Sequence, residues 1–195
     1  ADVADLWIHE GFCTYSEALY VEDLFGYEKA IQYVNAKKPT IGNKHKILGE
    51  YEVNEEGDGD MYNKGMLFLN TMRHVINNDE LWFSMLKEMT TREFKHKTIS
   101  TKDVINYFNK KTQLDFTSLF MQYLGYSNIP QLYYSVKQIK GSTYTLSYKW
   151  LTDVENFYMP IIIKVGKKEF RVEGSNELKV LKIMKKKNEK VKFDE

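Results

Sequence analysis

The sequence predicts an α+β protein with a helical domain at residues 1–128 and a small antiparallel β-sandwich at residues 129–195. Two observations predict this division. Apolar residues recur every three or four positions from Asp5 to about Tyr126, which is the period of an amphipathic helix. After Pro130 apolar and polar residues alternate, which is the period of a half-buried strand. The boundary is therefore placed near Asn128, where one period replaces the other.

Six helical segments are predicted in the first domain. The first begins at Asp5 and ends at Leu24, because Gly26 follows it as a stop signal. Ser100 and Asp103 have the spacing of a capping box, which predicts that a helix begins there. The capped helix is predicted to end at Phe108. The other predicted helices are Tyr27–Ala36, Met61–Val75, Glu80–Thr90 and Phe116–Leu124.

Six short strands are predicted in the second domain. Lys140 and Gly141 form a turn between the first two strands. The strands are Leu132–Ile139, Tyr144–Trp150, Pro160–Gly166, Phe170–Val172, Leu178–Ile183 and Lys190–Phe193. Short strands at such close spacing are typical of a small antiparallel sandwich.

The composition is that of a globular protein, with 43% apolar and 28% charged residues among 195. A net charge of +1 does not require nucleic acid or an anionic membrane as a partner. The one cysteine, Cys13, excludes an intrachain disulfide and leaves the redox compartment open. No apolar stretch approaches the roughly 20 residues that span a bilayer. The abundance of lysine and asparagine favours an AT-rich bacterial source.

Two carboxylates share one face of the first predicted helix. Glu10 and Glu17 are seven residues apart, with Thr14 between them on the same stripe. Carboxylates among aromatic residues are costly to bury without a cation or a hydrogen-bond donor, and a divalent metal would remove that cost. The pattern alone favours a solvated acidic face over a metal site.

His9 and Glu10 begin like the zinc motif H-E-x-x-H, but Cys13 stands where the second histidine belongs. A catalytic zinc site needs three protein ligands, so a His9 and Cys13 pair would be insufficient. The simpler interpretation is that His9 is exposed and that Cys13 is a small core residue.

The segment from Trp7 to Glu17 resembles the W-x-x-E-G-F-a-x-Y-x-E segment of zinc peptidases of the aminopeptidase N (gluzincin) family. The resemblance implies that Glu10 is the third zinc ligand. It also implies that Glu17 lies behind the ligands, where a carboxylate orients a ligating histidine by accepting its other N–H. The helical domain would then be the C-terminal helical lobe of a thermolysin-like catalytic domain.

A second segment, Tyr62 to Gly65, resembles the Y-x-K-G segment of the same family. The resemblance makes Tyr62 the catalytic tyrosine, whose phenol would donate a hydrogen bond to the oxyanion of the tetrahedral intermediate. Lys64 is expected to be structural, on the helix surface or in an ion pair.

The resemblance implies a Zn²⁺ aminopeptidase that acts on peptides with a free N-terminus. The family's H-E-x-x-H and its glycine-rich amine-binding loop are expected upstream of Ala1, in another part of the same protein. This chain alone is therefore expected to be inactive. Three alternatives remain open: a non-catalytic relative that binds peptides or proteins, an endopeptidase or epoxide hydrolase of the family, and an unrelated interaction module.

Two charged segments have simpler interpretations. Residues 39–60 hold five glycines or prolines and predict a long irregular connection, a kind of loop that is uncommon unless it is functional. Its acidic part, Glu55–Asp60, does not follow the EF-hand order and is expected to be a solvated loop near the substrate cleft. The lysines after Leu178 lack interleaved aromatic residues and are expected to be a solvated sheet edge.

Overall fold

The computed structural model describes residues 2–193 and confirms the α+β class, with helices first and small antiparallel sheets after them. The chain divides into two compact units, Ala1–Asn128 and Ile129–Glu195. The α-helices of the described chain are α1 (Trp7–Phe25), α2 (Tyr27–Lys37), α3 (Asn63–Ile76), α4 (Asp79–Glu88), α5 (Thr101–Thr112) and α6 (Thr117–Leu124). Short 3-10 turns occupy Val3–Asp5, Lys38–Thr40 and Gly59–Met61, and Met89–Glu93 forms one π-helical turn.

The capping box at the start of α5 is confirmed. The Asp103 amide donates to the Ser100 hydroxyl, and the Ser100 amide donates to the Asp103 carboxylate at 2.9 Å. The helix continues to Thr112, beyond the predicted end at Phe108. The prediction was short because the last turn is polar and carries no apolar period, whereas lysines near a helix C-terminus favour its extension.

Four aromatic side chains from four helices form the centre of the first unit. Trp7, Phe68, Phe108 and Phe120 are all fully buried. The ring of Phe120 lies 4.9 Å from Phe68, 5.7 Å from Phe108 and 6.2 Å from Trp7, measured between centroids. These tilted and edge-to-face contacts are the favoured geometry for aromatic pairs, and they hold α1, α3, α5 and α6 together.

A buried carboxylate fixes the start of α1. Asp5 is 2% exposed and accepts hydrogen bonds from the amide and hydroxyl of Thr101 and from the phenol of Tyr51, at 2.8, 2.6 and 2.7 Å. Thr101 in turn accepts the indole N–H of Trp7 at 2.7 Å. Because a buried carboxylate is tolerated only when its acceptor sites are filled, this network anchors the 3-10 turn that precedes α1 to the start of α5.

A second buried charge joins α1, α3 and α4. The Arg73 side chain of α3 is 4% exposed and donates two hydrogen bonds each to Glu22 of α1 and Asp79 of α4. Its guanidinium also lies 4.9 Å from the ring of Phe83. Hydrogen bonds to these two carboxylates raise the pKa of Arg73 above its usual range. Two bidentate hydrogen-bonded ion pairs to one planar guanidinium restrict how the three helices can be arranged.

The long connection between α2 and α3 is held by backbone hydrogen bonds. The amides of Ile47 and Leu48 donate to the Leu124 carbonyl at 3.1 and 3.0 Å, and the Gly49 amide donates to the Ala4 carbonyl at 3.0 Å. Ile47 is completely buried. The connection is therefore irregular, as predicted, but it is fixed against the first unit.

The second unit contains two three-stranded antiparallel sheets with strand orders β1-β2-β5 and β4-β3-β6. The strands are β1 (Gln131–Lys140), β2 (Thr143–Leu151), β3 (Ile161–Val165), β4 (Lys168–Val172), β5 (Lys179–Met184) and β6 (Val191–Phe193). One hydrophobic core takes side chains from both sheets, including Leu146, Ile163 and Ile183. Among residues 2–193, no helix is both long enough and apolar enough to cross a membrane.

Candidate active site

Glu10 lies in the first turns of α1, at the margin of the face that this helix buries. The helix buries Trp7, Ile8 and Gly11 in the first unit, whereas the Glu10 side chain is partly exposed. The Thr14 hydroxyl donates to the Glu10 backbone carbonyl at 2.7 Å and therefore not to the Glu10 carboxylate. The charged group is therefore held on a rigid helix and remains available to a partner.

Tyr62 occupies the junction between the 3-10 turn and α3. It is the residue before the first helical position, and its carbonyl accepts the Met66 amide at 3.0 Å. Its side chain is 45% exposed, so the phenol reaches the surface of the first unit. A side chain at a helix start is held by a defined backbone and still has access to a ligand.

Glu10 and Tyr62 are 52 residues apart in the sequence, and the approach of Gly11 to Gly65 and to the Met61 carbonyl brings the segments that carry them together. Partial loss of water around the phenol raises the pKa of Tyr62, and so do the charge of the Glu10 carboxylate and a hydrogen bond to it. The charge of Glu56 acts in the same direction. The phenol is protonated at neutral pH even at its ordinary pKa, and the raised pKa extends its range as a hydrogen-bond donor to more alkaline pH.

The absence of a side chain at Gly65 makes this approach possible. A Cβ atom on Gly65 of α3 would lie 2.9 Å from the Cα of Gly11 on α1, and real Cβ atoms essentially never come so close. Glycine in a helix interior costs stability, so its presence is explained by the close crossing of the two backbones. Gly11 follows Glu10 directly, and Gly65 lies three residues after Tyr62. The crossing therefore sets the distance between the two side chains.

Replacing Gly65 with alanine is expected to destabilise the protein by about 1–3 kcal/mol, because the new methyl group forces the two helices apart. Urea denaturation followed by circular dichroism would measure the loss. Gly11→Ala is the matched control, since its Cβ would meet the Gly65 Cα and the Met61 carbonyl oxygen at 3.4 Å, a contact the helices can absorb. Equal losses in the two variants would contradict the proposed crossing.

Two further side chains hold the turn that carries Tyr62. Asp60 accepts hydrogen bonds from the amides of Gly42 and Asn43 at 2.9 and 2.6 Å, which fixes the turn to the long connection. Lys64 is 2% exposed and donates to the carbonyls of Tyr126 and Ser127 at 3.0 and 3.1 Å. Burial lowers the pKa of Lys64, while the charges of Asp60 and Asp58 oppose that shift.

The predicted placement of Lys64 was therefore wrong in part. The residue is structural, but it lies neither on the helix surface nor in an ion pair. A long side chain at the start of α3 reaches the chain that follows α6 and satisfies two carbonyls there. The one-dimensional pattern does not reveal a contact with a segment that is more than 60 residues away.

Glu17 lies two turns beyond Glu10 on α1 and is exposed. Its carboxylate accepts a hydrogen bond from the Tyr33 phenol of α2, and this bond is the main cause that raises the pKa of Tyr33 to about 12. Glu17 is thus held by a tyrosine of the neighbouring helix, on the same helix as Glu10.

His9 and Cys13 both lie on the exposed side of α1. The interpretation of Cys13 as a core residue was wrong, because the helix buries Gly11, Thr14 and Tyr15 and turns Cys13 to the opposite side. Within residues 2–193, no three His, Cys, Asp or Glu side chains are grouped so that they could hold a metal ion.

Glu56 and Asp60 were not singled out from the sequence as site residues, although the acidic loop was expected near the cleft. Asp60 positions the turn, and Glu56 acts on Tyr62 through its charge. One signal was available: a glycine inside each of two helical segments indicates a close backbone approach. That signal marks the helix crossing but does not identify which acidic side chains border it.

Residues 2–123 match the Peptidase family M1 domain. This match covers α1 to α6, apart from the last residue of α6, and includes both Glu10 and Tyr62. A comparison with curated proteins gave no match.

Proposed function

Because the chain belongs to peptidase family M1, the aminopeptidase N-type family, we propose that it is part of a zinc-dependent aminopeptidase. The family assignment makes the protein a peptidase-related hydrolase. We propose three further points: that the protein removes N-terminal residues from peptides, that it requires zinc, and that individual residues have the roles given below. The helical unit is the C-terminal lobe of a thermolysin-like catalytic domain, followed by a β-sandwich.

The observation that carries the proposal is the placement of Glu10 beside Tyr62 by the crossing of α1 and α3. A metal-binding carboxylate and an oxyanion donor must lie within one substrate's reach of each other, because both act on the same scissile carbonyl. The close approach of α1 and α3 at Gly65 supports this arrangement, because it brings together segments that are about 50 residues apart in the sequence.

In the proposed site Tyr62 remains protonated and donates a hydrogen bond to the developing oxyanion. Glu10 would provide one of three zinc ligands, and two histidines from a preceding segment of the same protein would provide the others. Glu10 would fill one ligand position, and a catalytic zinc needs two further protein ligands beside it. When bound, zinc would supply a polarised, acidified water. Glu17 would orient one of the ligating histidines by accepting a hydrogen bond from its other ring N–H.

The exposure of Tyr62 favours one second candidate. A phenol that is 45% exposed beside a carboxylate can also bind a peptide or protein without any catalysis. In that case the protein is a non-catalytic relative within the same family. The two candidates differ in one property, since only the enzyme turns over its ligand.

The first test is to read the coding sequence that precedes residue 1. The proposal predicts an H-E-x-x-H whose second histidine lies about ten residues before Ala1. A preceding sequence with other residues at the histidine positions would favour the binding candidate instead.

The longer protein should then hydrolyse an aminoacyl anilide, lose activity when a chelator removes its metal, and regain activity with Zn²⁺. An N-acetylated form of the same substrate is the matched control, because an aminopeptidase requires the free amine. Cleavage of both substrates at equal rates would contradict the aminopeptidase assignment. Binding of the free-amine substrate without hydrolysis would contradict the proposal that the longer protein is an enzyme.

A further inference from the structure

The near-neutral charge of the whole chain conceals two oppositely charged units. Residues 129–195 contain 14 Lys and Arg against 8 Asp and Glu, a formal charge of +6. Residues 1–128 contain 14 against 19, a formal charge of −5. The net charge of +1 therefore gives no guide to the partners of the second unit taken by itself.

Within the second unit the positive charge is concentrated on one sheet. Strands β1, β2 and β5 contain five lysines and no aspartate or glutamate. The pairing register sorts their side chains, since residues two apart in a strand share a face. Leu146, Leu181 and Ile183 face the core, so the residues next to them in β2 and β5 face outward.

The outward face combines lysines with exposed apolar side chains. Lys137 lies opposite Thr145, which lies opposite Lys182, so that two lysines share one row across the sheet. Val180 and Met184 flank Lys182 along β5 and are 63% and 74% exposed. The other outward residues are Lys140, Lys149, Gln131, Leu151, serines, threonines and one tyrosine.

Among the described residues, the ion pairs of the second unit do not include Lys137, Lys149 or Lys182. A flat face with unpaired cations beside protruding apolar groups combines the two attractions of a peripheral membrane surface, which are apolar insertion and attraction to anionic lipid.

We propose that this outward face of the β1-β2-β5 sheet binds an anionic lipid membrane. Charge complementarity and the two exposed apolar side chains, Val180 and Met184, select this partner. The binding is peripheral, with the lysine ammonium groups at the lipid headgroups and the apolar side chains at the acyl boundary. It holds the second unit at a membrane without a spanning segment.

Other polyanions fit this face less well. Single-stranded nucleic acid is bound by stacking on aromatic residues with support from arginine, and this face has one tyrosine and no arginine. Protein interfaces are enriched in arginine and aromatics and depleted in lysine and serine, the opposite of the composition found here. Flexible lysine side chains suit a fluid surface that presents charge without fixed geometry.

Sedimentation of the 195-residue chain with lipid vesicles tests the proposal. Binding is expected to vesicles of phosphatidylcholine with about 30 mol % phosphatidylserine and not to phosphatidylcholine alone. It should weaken as potassium chloride rises from about 0.1 M to about 0.5 M. The triple variant Lys137→Gln, Lys149→Gln, Lys182→Gln should lower the partition constant on the order of a hundredfold, since each lysine contributes about fivefold.

The matched control places the same charge loss on the other sheet and its β3–β4 turn, as Lys167→Gln, Lys168→Gln, Lys192→Gln, and should retain most of the binding. Val180→Ser with Met184→Ser should weaken binding several-fold and leave its salt dependence unchanged. Circular dichroism verifies that each variant is folded. Equal losses in the two lysine variants, equal binding to neutral vesicles, or binding to DNA or polyglutamate but not to vesicles would each overturn the proposal.

Discussion

Replacing Tyr62 with phenylalanine in the zinc-loaded longer protein is expected to lower kcat by a factor of about 10²–10³, the usual loss of a preorganised oxyanion donor. The zinc content should remain unchanged, because the phenol is not a ligand. The substitution removes one hydroxyl from a side chain that already lies at the surface, so the fold should be preserved. Steady-state kinetics with an aminoacyl anilide, together with metal analysis, measure both quantities.

The control for this variant is Tyr20→Phe, which removes a hydroxyl from a tyrosine that is 65% exposed on α1. Its kcat should match that of the unmodified protein. An unchanged kcat in the Tyr62 variant would show that the phenol does not act on the transition state, and the catalytic role would have to be abandoned.

Replacing Arg73 with methionine is expected to lower the free energy of unfolding by about 3 kcal/mol, near the lower end for breaking a buried ion pair. The variant leaves Glu22 and Asp79 without their cation, and Glu22 is only 21% exposed. Asp79 is 64% exposed and regains water, which limits the loss. Urea denaturation at neutral pH would give the difference.

Arg92→Met is the comparison, because Arg92 is 76% exposed and pairs with Glu88 one helical turn away. Surface pairs of this kind contribute little, so its unfolding midpoint should not change measurably. If the Arg73 variant were as stable as the Arg92 variant, the cluster joining α1, α3 and α4 would be dispensable.

The sequence pattern predicted the type and order of the elements because each is a local property. Apolar periods of three to four and of two identify helices and strands directly, and the Ser100 capping box places the start of α5 at the correct residue. Errors arose where the local pattern carries no signal. The last turn of α5 is polar, so its helical conformation was not predicted. Whether Cys13 is buried depends on which face of α1 packs against the first unit, and the local pattern does not show this.

The candidate site was predicted from the family resemblance and could not have been predicted from periodicity. Glu10 and Tyr62 are separated by 52 residues. A glycine within each helix indicates a close backbone approach, but it does not identify α1 and α3 as the two helices that meet. Lys64 illustrates the same limit, since its acceptors lie on the segment after α6. The division of charge between the units was visible in the sequence once a boundary had been drawn.

Zinc affinity after substitution of Glu10 is the most direct measurement on the proposed metal site. In the longer protein Glu10→Gln should abolish stoichiometric zinc binding, because an amide is a poor substitute for a charged ligand. Glu17→Gln, seven residues further along the same helix, should bind zinc about 10–100-fold more weakly, as expected of a group that orients a ligand. A Glu10→Gln protein that binds one zinc with undiminished affinity would contradict the assignment of Glu10 and, with it, the proposed active site.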